Sequence, residues 1–173
     1  MVTNSTIIHE EKIKIFPIEN YDPEYIQKGN DGILYKISDE HAAKIAYPGN
    51  SFQPIAKEHD ISKILYENGI SVPKPEGIFD VKINNNSHKA FVMQYVKGAT
   101  MKELLESRRL QNELGLDFDD VIDMQKQYCD ELGKARNLGF CSGDASFINC
   151  LCSPKEKKAY LIDFAHWGGL SRN

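Results

Sequence analysis

No apolar run in this sequence approaches the roughly 18 residues of a membrane-spanning helix, so a helical membrane protein is not expected. The opening stretch, Met1-Val-Thr-Asn-Ser-Thr-Ile-Ile-His-Glu-Glu, lacks a basic segment followed by an apolar one, and no signal peptide is expected there. The closing stretch, Gly169-Leu-Ser-Arg-Asn173, is no lipidation signal. These absences lead to the expectation of a cytoplasmic protein. Positive charge is not in excess either: 21 Lys and Arg face 25 Asp and Glu, a formal net charge of -4. A general nucleic-acid binder is usually basic, so that class is disfavoured, although a local basic patch is not. Only four cysteines occur, Cys129, Cys141, Cys150 and Cys152. Without an export signal they are expected as thiols, not disulfides. Cys150-x-Cys152 fits no zinc spacing and reads as part of an apolar strand. There is no internal repeat and no low-complexity segment beyond Asn84-Asn-Asn86.

What is present suits a folded chain. At 173 residues, 41% apolar and 27% charged, it has the material for one domain or for two very small lobes sharing a cleft. Ile13 and Ile15 alternate with lysines, which allows a short edge strand. Tyr25-Ile26 lead into Lys28-Gly29-Asn30-Asp31-Gly32, a strong turn signal. Strands are expected at Ile33 to Ile37 and at His41 to Ala46, turning at Ser38-Asp39-Glu40. A helix should run from Phe52 to Glu67, with Ile61, Ile64 and Leu65 on one face and Asn68-Gly69 as its stop. Gly77 to Ile83 and His88 to Tyr95 read as two strands around the polar turn Asn84 to Ser87.

After Gly98 the pattern becomes helical. Thr100-x-x-Glu103 is a capping box. A longer helix is expected over Asp119 to Asn137, with Val121, Met124, Tyr128 and Leu132 at helical spacing and Gly139 ending it. Short strands follow at Asn149 to Cys152 and Ala159 to Ile162. Strands first and helices second, with a late hairpin, indicate a two-lobed α+β protein divided near Val96-Lys97-Gly98. The strand-rich N-lobe would occupy about 1–96 and the reduced C-lobe about 97–173.

The chemistry concentrates near the C-terminus. Asp144, in Ser142-Gly143-Asp144, is followed five residues later by Asn149, and fourteen residues beyond that by Asp163 in Leu161-Ile162-Asp163-Phe164-Ala165. Each alone would do no more than shape a turn or cap a strand. Together, two carboxylates and an amide on loops beside short strands suit Mg–phosphate chemistry, because Mg²⁺ prefers hard oxygen ligands and commonly takes one or two carboxylates plus substrate phosphates.

This order of residues resembles the protein-kinase-like superfamily, whose catalytic loop has an Asp with an Asn five residues on and whose metal-binding Asp sits in Asp-Phe-Gly or a variant. The resemblance spans roughly Tyr25 to Trp167. It is strongest to the small atypical branch: RIO kinases, the small kinase of the KEOPS tRNA-modification complex, and aminoglycoside phosphotransferases. The abbreviated phosphate loop, the run Glu67-Asn-Gly-Ile-Ser-Val-Pro-Lys-Pro75, and Ser146 two residues after Asp144 point to that branch. The resemblance implies a minimal two-lobed kinase-like fold with a truncated helical C-lobe, binding ATP and Mg²⁺. By the same resemblance Asp144 is the catalytic base and Asn149 and Asp163 are the metal ligands. Lys44, in Ala42-Ala43-Lys44-Ile45, would hold the α- and β-phosphates, and Glu58 would hold Lys44. Gly29, Asn30, Asp31 and Gly32 would cover the phosphates, where small residues let backbone N–H groups approach. Met93 would sit near the back of the adenine pocket, and Gln94 to Val96 would offer the base backbone hydrogen bonds. A solvated Lys44 and a surface Glu58 remain the plainer alternative.

Departures from the pattern bear on function. Ser142 stands where the family has His, and Ala165 replaces the Gly of Asp-Phe-Gly. The chain ends eight residues after Ala165, without an activation segment or later substrate-binding helices. The leading expectation is therefore an ATP-dependent phosphotransferase, a minimal atypical serine/threonine kinase or ATPase. Its acceptor would be a protein or small-molecule hydroxyl, with room for a protein partner that completes the reduced C-lobe. A small-molecule phosphotransferase of aminoglycoside type and a nucleotide-binding pseudokinase that serves as an interaction module are the alternatives.

Overall fold

The computed structural model describes residues 23–83, 86–141 and 146–169. The edge strand expected near Ile13 and Ile15, Asn84 and Asn85 of the asparagine turn, and Ser142, Gly143 and Asp144 lie outside the described residues.

Alternating side chains and short polar turns produce the first half. Strands β1 (Glu24–Lys28), β2 (Gly32–Lys36) and β3 (His41–Ala46) are followed by helix α1 (Gln53–Glu67), then β4 (Pro75–Ile83) and β5 (Asn86–Gln94). The five strands form one antiparallel sheet in the order β1-β2-β3-β5-β4. Two bounds differ from the sequence reading by two residues, the others by one at most. Strand β5 begins at Asn86, so Asn86 and Ser87 belong to the ladder instead of the turn; both are exposed, and an exposed stretch of hairpin tolerates polar side chains. Strand β4 begins at Pro75, because the ladder resumes across an irregularity between Pro75 and Gly77, where Gly77 takes φ +138°.

Helix α1 has Pro54 in its first turn, where its missing N–H costs nothing. Its end is a paired left-handed cap: Gly69 has φ +75°, its N–H reaches Tyr66 O at 3.0 Å, and the Ile70 N–H reaches Leu65 O at 3.0 Å. The buried side chains are Ile55, Glu58, Ile61, Ser62 and Leu65. Ile64, expected on that face, is exposed: at 100° per residue it lies beyond the edge of the stripe that Ile61 and Leu65 define.

The second half opens with β6 (Ala99–Thr100) and helices α2 (Met101–Glu106), α3 (Arg108–Glu113) and α4 (Phe118–Asn137). Strand β7 (Phe140–Cys141) comes next, then a 3-10 turn at Phe147–Asn149 and strands β8 (Cys150–Ser153), β9 (Lys158–Leu161) and β10 (Gly168–Gly169). Thr100 accepts from Glu103 N at 3.2 Å and Glu103 accepts from Thr100 N at 2.8 Å, completing the capping box. An equivalent pair, Asp117 and Asp120, starts α4 at Phe118, one residue earlier than Asp119. Strands β6, β8 and β9 form a small sheet, and β7 pairs with β10. The two-residue strands and α3 have no hydrophobic period long enough to be read from sequence. Among the described residues no helix is long and apolar enough to cross a membrane.

The result is an α+β fold, an antiparallel sheet followed by a helical half. It contains two hydrophobic clusters. A small one (Ile37, Ala43, Ile45, Val81, Ile83, Ala90, Val92) covers one face of the five-stranded sheet. The larger one collects α2, α4 and the late hairpin together with Ile61, Leu65, Ile70 and Val72. Helix α1 thus begins against the sheet and ends in the second cluster.

Candidate active site

Strand alternation decides which way Lys44 points. Ala43 and Ile45 belong to the sheet's own cluster, so Lys44 between them faces the other side. There its Cα partner on β5 is Phe91, and α1 lies over both: the His59 and Phe91 rings meet edge to face at 5.3 Å. Lys44 Nζ lies 2.5 Å from Glu58 Oε2 and 3.6 Å from Asp163 Oδ1. The Glu58 side chain is 6% exposed and that of Lys44 12%.

This lysine meets more negative charge than it can neutralise. Burial works against its charged form, yet the attraction and hydrogen bond of Glu58, with the charges of Asp163 and Asp31, hold its pKa above the ordinary value. For Glu58, burial pushes the carboxyl pKa up; Lys44 offsets part of this, while Asp163 and Asp31 add to the rise. One ammonium therefore faces three carboxylates in a partly dry setting. Asp163 has φ +64°, a backbone conformation that Asp adopts more readily than most side chains. Its Oδ1 is buried and has no hydrogen-bond partner among the described residues. A buried carboxylate oxygen without a donor, beside excess negative charge, fits a divalent cation.

The late hairpin sets Asn149 beside this point. The Cα of Cys150 pairs with that of Leu161, and beyond that pair the Ile162 N–H donates to Asn149 O at 3.1 Å. Phe164 and Trp167, both buried, stack edge to face at 5.0 Å and anchor the segment after Asp163. Two contacts that motif spacing does not reveal hold the surroundings. Tyr128 on α4 donates to Ser146 O at 3.0 Å, two residues after Asp144 in the sequence. Glu131 on α4 accepts the Ser71 N–H at 3.1 Å, and Ser71 O in turn accepts from Leu161 N at 2.8 Å. Tyr128 is legible in the sequence as a core residue by its spacing, but its hydroxyl contact is not.

The glycine turn closes tightly, with Gly29 N–H donating to Gly32 O at 2.8 Å. Tyr47 donates to Gly29 O at 2.7 Å. Gly32 is required where it stands, since a Cβ would come within 2.1 Å of Ile45 O. Asp31 Oδ2 lies 3.2 Å from His166 Nε2. Met93 pairs with Ala42 on the sheet. The N–H groups of Gln94 and Tyr95 are engaged by Lys74 O at 2.8 Å and Glu40 O at 2.7 Å. In this conformation neither is available to a base, which narrows what the Gln94-to-Val96 stretch can offer.

Lys44, Glu58 and Asp163 are thus brought into contact, Asn149 ends the 3-10 turn just before β8, and the glycine turn reaches the same region through Asp31. Asp144 lies outside the described residues. No cluster of His, Cys, Asp or Glu among the described residues forms a ready metal cage, and Cys150 and Cys152, buried with sulfurs 3.9 Å apart, belong to the core.

A sheet with a lysine on its third strand, a helix glutamate against it, and a helical half supplying an aspartate make up a minimal kinase-like arrangement. No protein-family model matches the chain. Over 108 residues it is 29% identical to the KEOPS complex subunit Bud32 of Pyrococcus abyssi (strain GE5 / Orsay), a stretch covering 62% of this chain and 42% of that protein. The match therefore spans less than half the length of the curated relative. It supports a kinase-like relationship at the level of the superfamily.

Proposed function

We propose that this chain is an ATP-dependent phosphotransferase, a minimal atypical serine/threonine kinase or ATPase that uses Mg–ATP. The observation that carries this reading is the buried Lys44–Glu58 pair at 2.5 Å with Asp163 Oδ1 at 3.6 Å from the same ammonium. A buried lysine held by one carboxylate and aimed at a second is poised for a ligand that carries phosphate and metal together.

In this reading Glu58 orients Lys44, and Lys44 binds the α- and β-phosphates as a point charge. Asp163 and Asn149 would hold Mg²⁺, which when bound neutralises charge on the phosphate oxygens. Asp144 meets the acceptor. The acceptor oxygen bonds to the γ-phosphorus, the bond from that phosphorus to the β–γ bridging oxygen breaks, ADP departs, and the hydroxyl proton passes to the Asp144 carboxylate. In an ATPase the acceptor is water. The glycine turn covers the phosphates, and Met93 and Val96 face the adenine.

The relative's place in the KEOPS complex supports a protein partner for this chain as well. Incubation with labelled ATP and Mg²⁺, following both phosphate release and self-labelling, tests the proposal. Wild type should do at least one of the two, and Asp144→Asn should bind nucleotide but turn over little. A wild type inert in both assays, with or without added protein partner, would return the chain to the pseudokinase reading.

A further inference from the structure

Among the described carboxylates whose charge reaches Lys44, Asp31 is the one whose side chain the proposed chemistry does not use, since the turn covers the phosphates through its backbone N–H groups. It sits at the tip of the β1–β2 hairpin, its side chain 13% exposed, and it meets His166, whose side chain is 66% exposed. Lys44 and Glu58 both feel its charge. The contact therefore runs from the glycine turn, in the sheet half, to the segment that carries Asp163, in the helical half.

A nucleotide triphosphate brings further negative charge to a place where three carboxylates already surround one ammonium. Glu58 is locked to Lys44, and Asp163 is needed for metal. Asp31 is held by a largely exposed partner, and such contacts are weak enough to yield to a ligand. We propose that Asp31 and His166 form an autoinhibitory clasp, which holds the glycine turn closed over the phosphate site and must open before a nucleotide triphosphate enters. This rests on the proposed function only for the identity of the ligand; the clasp itself is a property of the free chain.

Two measurements separate the clasp from that reading. Limited trypsin digestion of the free full-length chain reads the turn directly, because Lys28 borders it. Asp31→Asn and His166→Ala should each speed cleavage after Lys28, and the double variant should be no faster than the faster single one. Titration with a fluorescent ATP analogue and Mg²⁺ reads the competition. Each single variant should bind about two- to fivefold tighter than wild type, the factor a weak exposed pair implies. His166→Ala is decisive, since it opens the clasp without removing the Asp31 charge. Tighter binding by Asp31→Asn with His166→Ala unchanged would mean that charge repulsion alone is at work, and would overturn the clasp. Weaker binding by Asp31→Asn would make Asp31 a metal or nucleotide ligand and overturn it equally, as would unchanged trypsin cleavage in both variants. Faster cleavage with no nucleotide binding by any form, wild type included, would leave the clasp standing and remove the phosphotransferase reading.

Discussion

The upstream and downstream halves of the site are built differently. Lys44 and Glu58 stand on regular elements, a central strand and a helix of about four turns, and hold each other in a buried pair at 2.5 Å. Asn149 and Asp163 stand where regular structure ends: one closes a 3-10 turn, the other sits at φ +64° just past a strand. The upstream half is positioned by the sheet and α1 and is nearly dry. The downstream half is positioned by a hairpin register and by Phe164 and Trp167 in the core, and Asp163 remains 42% exposed. Rigidity without solvent suits a fixed cation, whereas a partly open carboxylate on a loop suits a ligand that must come and go.

The largest effect expected from breaking this contrast is Lys44→Ala. It removes the point charge for the phosphates, and ATP turnover should fall by about two to three orders of magnitude. It also strands Glu58 in a dry pocket, at a cost of about 3 kcal/mol in a denaturant titration. Glu58→Gln should reduce turnover less, because it removes only the orienting group. The double variant should be little worse than Lys44→Ala alone; additive losses would show that the two residues act separately.

Next in size is a packing test that involves no ligand. Gly98 lies where the chain passes from the sheet to the helical half, and a Cβ there would come within 1.8 Å of Cys152 O. Backbone cannot move aside as a flexible side chain does, so Gly98→Ala should destabilise the fold by about 3 kcal/mol in a denaturant titration. A loss below about 1 kcal/mol would mean that the two halves can separate at this point without penalty.

Mg–ATP should then sharpen the downstream half. At a hundred times its dissociation constant it should add about 2.7 kcal/mol to the stability of the wild type, read as a rise in Tm. Asp163→Ala should abolish the metal-dependent part of that rise. A Tm that Mg–ATP leaves unchanged in the wild type would count against nucleotide binding altogether.

The smallest effect is a pH dependence confined to the upstream half. The Glu58 pKa is raised in the folded chain, so the folded state holds that proton more tightly than the unfolded state. Its stabilising contribution is complete below the ordinary glutamate range and is lost as pH rises through the raised value. Glu58→Gln lacks this dependence. The Tm of the variant minus that of the wild type should therefore rise as pH goes from the acid side of the carboxylate range toward neutrality. A difference that is flat or falls would place the Glu58 pKa at or below its ordinary value.

Local signals settled much of this protein in advance. Strand alternation, Asn68-Gly69 and the Thr100 capping box are short-range features whose physics is contained in a few adjacent residues, and the elements they announce are present. Two strands began two residues earlier than expected and Ile64 lies outside its helix's buried stripe, because element ends and stripe edges depend on what packs against them. The face of Lys44 followed from its neighbours Ala43 and Ile45. Contacts between distant segments did not follow from any local pattern: the Ser71 link between Glu131 and Leu161, the Tyr128 hydroxyl on Ser146 O, the approach of Asp31 to His166, and the entry of Ile61 and Leu65 of α1 into the hydrophobic cluster of the helical half. Each depends on how far apart two elements come to rest, and that distance is set by the sum of side-chain volumes between them, a quantity no single stretch of sequence contains.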